Sequence, residues 1–168
     1  MAHGESVWDY YQDLIEHLTQ STPLAHPWRL PDWVRDPLIT SNQLDHKTVK
    51  EYLIFHDCGK PYCRTVDEGG RQHFPDHARV SEALWRSIGG NDQSARLMGM
   101  DMDIHLLKGE GVEAFSCRPE ATTLLLAGLC EVHSNAEMFG GIESVGFKMK
   151  MKQIDRRGKR IVALLGSR

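Results

Sequence analysis

Apolar residues recur at helical spacing along most of the chain, and this periodicity predicts a mainly α-helical protein. A first helix is predicted over residues 5–20, where Val7, Tyr11, Leu14 and Leu18 share one face. Four further helices are predicted: one from a cap at Ser41 or Asn42 to Asp57, and others over 77–88, over 92–107 and from Pro119 onward. We therefore expect an all-α fold, a bundle of five or more helices.

Three segments depart from this pattern. Residues 22–40 contain four prolines and are expected to form an ordered loop. The run 65–71 carries the turn signal Gly69-Gly70 and predicts a loop or one short hairpin. Residues 142–165 are ambiguous, because apolar residues alternate with lysines in the first half, as in a strand, and follow helical spacing in the second.

Length and composition add few constraints. The 168 residues are expected to form a single domain, 1–168, with 40% hydrophobic and 26% charged residues, as is usual for globular chains. No apolar run approaches the roughly 20 residues that a membrane span needs, and the N-terminal residues do not resemble a signal peptide. We therefore expect a cytoplasmic protein without a membrane partner. The sequence indicates no protein partner.

Positive charge is concentrated in the C-terminal segment 147–168. This segment carries eight lysines and arginines against Asp155 alone, whereas acidic residues are in excess over the rest of the chain. Such a segment could contact the phosphates of a nucleic acid. It could equally be a solvated face that balances the acidic body.

The nine histidines are distinguished by their placement. His56, His77, His105 and His133 each lie on the apolar stripe of a different predicted helix. Buried imidazoles need partners, and one shared metal would satisfy several of them. The alternative is that each is a hydrogen-bonded core residue. Histidine and aspartate donors without a CxxC pair favour one or two divalent transition metals: Mn, Co, Ni, Fe or Zn.

The pair His56-Asp57 stands where a predicted helix ends. Adjacent helical residues point about 100° apart, so the two side chains can converge only near a helix end, where Gly59 is expected to allow a left-handed turn. Lys60 adds a cation, which suggests half of a metal site for a phosphate-bearing substrate. His46 lies about 15 Å away along the same helix and is excluded. His3 is expected to be disordered at the terminus.

The residues His56-Asp57-Cys58-Gly59-Lys60-Pro61 resemble the H-D-x-G-K-P signature of the HD-domain metal-dependent phosphohydrolases. The similarity continues through 64–74, His77 and Ser81, and this passage resembles the HD domains of bacterial tRNA nucleotidyltransferases and of RNA-repair phosphoesterases. Cys130-Glu131-Val132-His133 is similar to a C-E-A-D segment of that branch. The resemblance covers roughly residues 44–140 and implies an HD-domain helical bundle.

The resemblance implies a role for each matching residue. His56 and Asp57 would bind the metal, and His77 and His105 would bind a second metal or contact phosphate. The first metal ligand would be His17, with His26 as the alternative. Where the family has its last ligand, an aspartate, this chain offers His133, with Glu131 as the alternative. The residues that would serve catalysis are Asp57 and Lys60, and those that would contact substrate are Lys60, Arg64 and Ser81.

The implied activity is metal-assisted hydrolysis of a phosphoester in a nucleotide or at an RNA end. It would be that of a 2′,3′-cyclic phosphodiesterase or a 2′- or 3′-phosphomonoesterase, and the basic residues 148–160 would hold the rest of the substrate. One alternative is a deoxynucleotide 5′-monophosphatase. Another is an HD protein that binds metal or nucleotide without turnover.

Overall fold

A computed structural model describes residues 2–167 and shows a mainly helical protein, which confirms the all-α prediction. The helices are α1 Ala2–Gln20, α2 Pro37–Ser41, α3 His46–Phe55, α4 Lys60–Cys63, α5 His77–Ser87, α6 Asp92–Gly99, α7 Asp103–Leu106, α8 Val112–Ser116, α9 Ala121–Ser134 and α10 Val145–Gly166. Short 3₁₀ turns cover Asp32–Arg35, Gly109–Gly111 and Ala136–Phe139. Strands β1 (Thr65–Val66) and β2 (Gln72–His73) form a short antiparallel hairpin, one of the two alternatives expected there.

Helix α9 lies at the centre of the core. Every residue from Ala121 to Cys130 is buried, since this stretch is apolar or small on all sides. Helices α1, α7, α8 and α10 pack around it. Gly128 makes room for one of these contacts, because a Cβ there would lie 2.8 Å from a side-chain carbon of Ile104. The neighbouring residue His105 is thereby held close to α9.

Helix α1 crosses the end of α3 at very short range. A Cβ on Gly4 would lie 2.1 Å from the carbonyl oxygen of Ile54, a distance that no side chain can adopt. Gly4 is therefore needed for the approach of the two backbones. The contact brings the first turn of α1 against the C-terminal end of α3, where His56 and Asp57 follow.

The turn after α3 is tied to α5. The backbone N–H of Gly59 donates to Ser81 Oγ at 2.9 Å, and a Cβ on Gly59 would lie 2.5 Å from the Ser81 nitrogen. Gly59 has φ −79°, so the predicted left-handed turn is absent at this residue. The glycine is required by close packing and not by its backbone angles.

Two other predictions change. The single helix expected over 92–107 is divided into α6 and α7, and the intervening turn places Asp101 in the interior. Residues 142–165 are mostly helical, and α10 buries Phe147, Ile154 and Ile161 while its basic residues point outward. The alternation of lysines and methionines in this segment, which resembles a strand pattern, does not correspond to a strand.

None of the helices in the described part of the chain is long and apolar enough to cross a membrane.

The contact at Gly4 can be tested by substitution. Gly4→Ala should lower the free energy of unfolding by about 1–3 kcal/mol, because the added methyl group forces α1 away from α3. Gly166→Ala is the matched control: it lies near the end of α10 with nothing within 4 Å of a Cβ there. The control should leave stability unchanged or raise it, as measured by urea unfolding. Equal stability of both variants would contradict the packing role of Gly4.

Candidate metal centre

Three side chains from two helical segments form a cluster with the donor types of a metal site. His3, His56 and Asp57 each offer a ligand atom, and these atoms lie within 4.8 Å of one another. His3 comes from the first turn of α1, and the other two come from the turn that follows α3. Two imidazoles and one carboxylate are donors that suit Zn²⁺, Mn²⁺, Fe, Co²⁺ or Ni²⁺.

The orientation of His56 follows from its backbone. Its Nδ1 lies 2.8 Å from the carbonyl oxygen of Leu53, and since a carbonyl only accepts, this nitrogen carries the proton. Nε2 is therefore an acceptor. It is buried, and among residues 2–167 it has no hydrogen-bond partner. A proton donated to a carbonyl from one ring nitrogen, with the other nitrogen left open, is the usual arrangement of a metal-binding histidine.

His77, at the start of α5, repeats this arrangement. Its Nδ1 lies 3.2 Å from the carbonyl oxygen of Phe74, which leaves Nε2 directed toward Asp57, 3.8 Å from Oδ1. The structure thus brings His56, Asp57 and His77 together, as the resemblance implied. The carboxylate stands between the two rings.

Asp57 also contacts the predicted catalytic lysine. Lys60 Nζ donates to Asp57 Oδ2 at 2.5 Å, whereas Asp57 Oδ1 is buried and lacks a hydrogen-bond partner in the described part of the chain. The Lys60 ammonium also lies 5.6 Å from the centre of the Phe74 ring. Oδ2, the oxygen paired with Lys60, lies 3.6 Å from His56 Nε2 and 3.9 Å from His3 Nε2, whereas the unpaired Oδ1 faces His77.

A second set of charged groups lies beside the cluster. His105 Nε2 and Glu131 Oε2 are 2.8 Å apart, and the buried carboxylate of Asp101 accepts a hydrogen bond of 2.7 Å from the Tyr52 hydroxyl. Burial raises the pKa of Asp101, although the charges of His56 and His105 oppose that shift. The division of the predicted helix between α6 and α7 is what places Asp101 here.

These groups raise the pKa values of two histidines. Burial alone would lower the pKa of His56, but the charges of Asp101, Asp57 and Glu131 outweigh it and raise that pKa. Burial would likewise lower the pKa of His105, but its hydrogen bond and charge interaction with Glu131 raise it. In return, His105 overcomes the effect of burial on Glu131 and lowers the pKa of that carboxyl to about 2. Glu131 and His105 therefore each favour the charged form of the other.

His17 does not reach the cluster, which corrects the prediction that it is the first ligand. It lies fourteen residues after His3 on α1, about 21 Å along the helix, and its Nδ1 hydrogen-bonds to the carbonyl oxygen of Thr22. The alternative, His26, stacks on Tyr10 at 4.2 Å between ring centres. The expectation of terminal disorder at His3 is also wrong, since His3 belongs to α1.

His133 takes no part in the cluster either. Its Nδ1 donates to the carbonyl oxygen of Leu129 at 2.8 Å, and its Nε2 accepts from the backbone N–H of Arg29 at 3.1 Å. Burial lowers the pKa of His133 to about 4, so the ring is neutral. Both nitrogens are used, and the ring packs against Trp28 and Phe147. The histidine is a satisfied core residue that ties the 22–40 loop to α9, and Glu131 is the α9 side chain that pairs with His105.

The two remaining predicted substrate contacts differ in their surroundings. Ser81 is fully buried and holds the Gly59 turn, so it positions the centre and cannot touch a substrate. Arg64 is exposed immediately after α4, where contact with a substrate is sterically open. Its role stays a prediction.

Sequence reasoning missed His3, Asp101 and Tyr52. No local pattern marks His3, because its significance comes from the crossing of α1 and α3 at Gly4. The pairing of His105 with Glu131 is only weakly indicated by the sequence, since both residues lie among apolar positions of neighbouring helices.

Comparison of the chain with protein-family models, curated proteins and solved structures finds no match.

The assignment of His3 can be tested against His17 on the same helix. His3→Ala should weaken binding of Co²⁺ or Mn²⁺ at least about tenfold, because one of the nitrogen atoms that would bind the ion is lost. His17→Ala should leave the affinity unchanged. Isothermal titration calorimetry with metal-free protein measures both. Equal affinities of the two variants would rule out His3 as a ligand.

The neutral state of His133 predicts a pH dependence of stability. Its pKa of about 4 in the folded protein lies below the ordinary histidine value of 6.5, so the folded state binds fewer protons than the unfolded state between these pH values. The stability that His133 contributes is fully present above about pH 6.5 and is lost as pH falls toward 4, by up to about 3 kcal/mol. His133→Gln should remove this part of the pH dependence in urea unfolding at pH 4–7. An unchanged pH profile in the variant would contradict the assignment.

Proposed function

We propose that the protein is a metal-dependent phosphohydrolase that acts on a phosphoester of a nucleotide or an RNA end. The observation that carries the proposal is the pair of buried atoms His56 Nε2 and Asp57 Oδ1, which find no hydrogen-bond partner in residues 2–167 and lie beside Lys60. Leaving such atoms unpaired is unfavourable unless a ligand satisfies them. A cation bound between them would do so.

His3, His56 and Asp57 would hold the metal, with His77 next to Asp57. A divalent transition metal at this position supplies a Lewis acid and lowers the pKa of a bound water. The carbonyl oxygens of Leu53 and Phe74 keep His56 and His77 in the tautomers that present Nε2. The chain is thus organised to receive the ion before substrate arrives.

Lys60 would contact the phosphate. Its ammonium is only part-buried and lies at the edge of the cluster, where it neutralises Asp57 in the free protein. When Asp57 binds a cation, the lysine becomes available for an anion. It would then stabilise the negative charge that develops on the phosphoryl oxygens in the transition state.

The His105–Glu131 pair would supply the proton for the leaving oxygen. The hydrogen bond and charge of Glu131 raise the pKa of His105, and the protonated ring would have Nε2 bonded to Glu131 and Nδ1 left to donate. A cleft of about 180 Å³ opens beside the pair, with Lys150 among its lining residues. A leaving group could be accommodated there. Donation from His105 would complete the cleavage of the ester.

The choice of nucleotide substrates is supported by the resemblance of residues 55–82 to HD-domain phosphohydrolases. A 2′,3′-cyclic phosphodiesterase or a 2′- or 3′-phosphomonoesterase is the main proposal. These activities share the requirement for a phosphate next to a ribose, which the exposed Arg64 could help to bind. The centre's donor set agrees with this class of chemistry but also with a 5′-monophosphatase.

Hydrolysis can be measured with Mn²⁺, Co²⁺ or Ni²⁺ and a panel of 2′-, 3′-, 5′- and 2′,3′-cyclic phosphate nucleotides. Asp57→Asn should abolish turnover, and Lys60→Met should lower kcat about 100-fold. Lys47→Met, an exposed lysine at the start of α3, is the control and should be fully active.

The outcomes separate the candidate activities. Release of phosphate from 2′- or 3′-nucleotides, or opening of the cyclic phosphate, supports the main proposal, whereas turnover of deoxynucleotide 5′-monophosphates alone supports the alternative phosphatase. Metal binding without hydrolysis of any substrate would overturn the enzyme proposal in favour of a binding protein. Turnover that survives Asp57→Asn would exclude this centre as the place of reaction.

A further inference from the structure

A groove lined by positive charge lies on the side of α10, between this helix and the turn that follows α7. It has a volume of about 530 Å³, and its lining includes five basic side chains, those of Lys108, Arg156, Arg157, Lys159 and Arg160. The remaining lining residues are apolar or glycine, and no carboxylate is among them. Gly109 leaves space for the Arg160 guanidinium, which would lie 3.4 Å from a Cβ at that position. The groove therefore concentrates positive potential in a concave surface.

Most of these cations have no acidic partner. Lys159 pairs with Asp155 at 2.7 Å, but the ion pairs found in residues 2–167 do not involve Lys108, Arg156, Arg157 or Arg160. Arg157 donates from Nε to the carbonyl oxygen of Leu107 at 2.9 Å, which fixes its guanidinium at the groove wall. The positive charges of Lys108, Arg156, Arg157 and Arg160 are thus not neutralised by ion pairs within residues 2–167. Burial and the adjacent Arg156 lower the pKa of Arg157, as expected for crowded like charges.

The groove lies close to the His105–Glu131 pair. Leu107, which lines the groove, lies only two residues after His105, and the charge of Arg157 acts on the His105 ring. His105 also lines the cleft that contains Glu131 and Lys150. Lys150 lines the cleft and Arg157 lines the groove, and both are on α10, so this helix gives a path between the two openings. A chain with phosphates at intervals could follow this path.

A membrane surface fits the groove less well than a phosphate chain. Basic helices that bind membranes insert an apolar face, but the apolar face of α10 is buried against the core through Phe147, Ile154 and Ile161. The charges also line a concavity, which excludes a flat bilayer surface. Arginine guanidinium groups, by contrast, match the geometry of phosphate oxygens.

We propose that this groove binds the phosphodiester backbone of a single-stranded nucleic acid, so that the metal centre acts on the end of an oligonucleotide in preference to a free mononucleotide. The link to hydrolysis rests on the proposed function, whereas strand binding does not. The apolar residues Leu107 and Val112 at the base of the groove give contact without reading sequence. Binding should therefore be governed by backbone charge and depend strongly on salt.

Fluorescence anisotropy with a labelled single-stranded RNA of twelve nucleotides tests the groove on the metal-free protein. The double variant Arg156→Ala/Arg160→Ala should bind at least about tenfold more weakly, with a slope of log affinity against log salt reduced by roughly one. Lys47→Ala/Arg79→Ala removes the same charge from exposed positions on α3 and α5 and should bind like the wild type. Circular dichroism confirms that both variants are folded.

Several results would overturn the proposal. These are equal weakening by both double variants, competition by tripolyphosphate as effective as that by unlabelled RNA, or binding to phosphatidylserine vesicles without binding to RNA. Asp57→Asn should retain RNA binding, and the Arg156→Ala/Arg160→Ala variant should lose activity on oligonucleotide ends by a larger factor than on mononucleotides. If no substrate is hydrolysed but the groove variant loses RNA binding, the proposed enzyme activity fails and strand binding stands.

Discussion

The contact between the first turn of α1 and the end of α3 determines where the donor groups of the centre meet. Gly4 allows the two backbones to touch, and the contact carries His3 to the side of His56 and Asp57. Helix α9 supports this arrangement, because α1 packs along it and the Glu131 side chain extends from it to His105. Three segments that are distant in the chain therefore converge through one close approach, and the chemistry of the centre depends on that approach being kept.

The carboxylates close to its histidines distinguish the candidate metal centre from the rest of the core. Asp101, Asp57 and Glu131 raise the pKa of His56 against the effect of burial, and Glu131 and Asp101 do the same for His105. His133 shows the opposite case. It is buried to a similar degree, with 1% of its surface exposed against 2% for His56, but none of the carboxylates in residues 2–167 pairs with it and a backbone N–H occupies its second nitrogen. The partner of Nε2, more than burial, separates a structural imidazole from one that can bind a ligand.

Much of the fold could be predicted from the sequence, and part of the centre could be. Helical spacing identified the main helices, and Gly69-Gly70 marked the hairpin. The break between α6 and α7 could not be recognised from the sequence, because the apolar residues of this segment keep helical spacing across the turn. Among the residues expected at the centre, His56, Asp57, Lys60 and His77 come together, since the first three share one turn and the Gly59–Ser81 contact holds α5 beside it. His17 and His133 were misjudged because the relative positions of distant helices decide which histidine faces inward, and one-dimensional spacing carries no such information.

The bond between Gly59 and Ser81 has a further consequence for how this protein could change over evolution. It fastens the His56–Gly59 turn to α5, so His77 keeps its place relative to Asp57 whatever the chain does between them. The hairpin between them is exposed throughout from Arg64 to His73 and takes no part in the contact between Gly59 and Ser81. Lengthening a surface loop costs little free energy. The hairpin is therefore a segment in which insertions could reshape the rim of the centre, and with it the range of molecules admitted, while the ligand geometry is conserved.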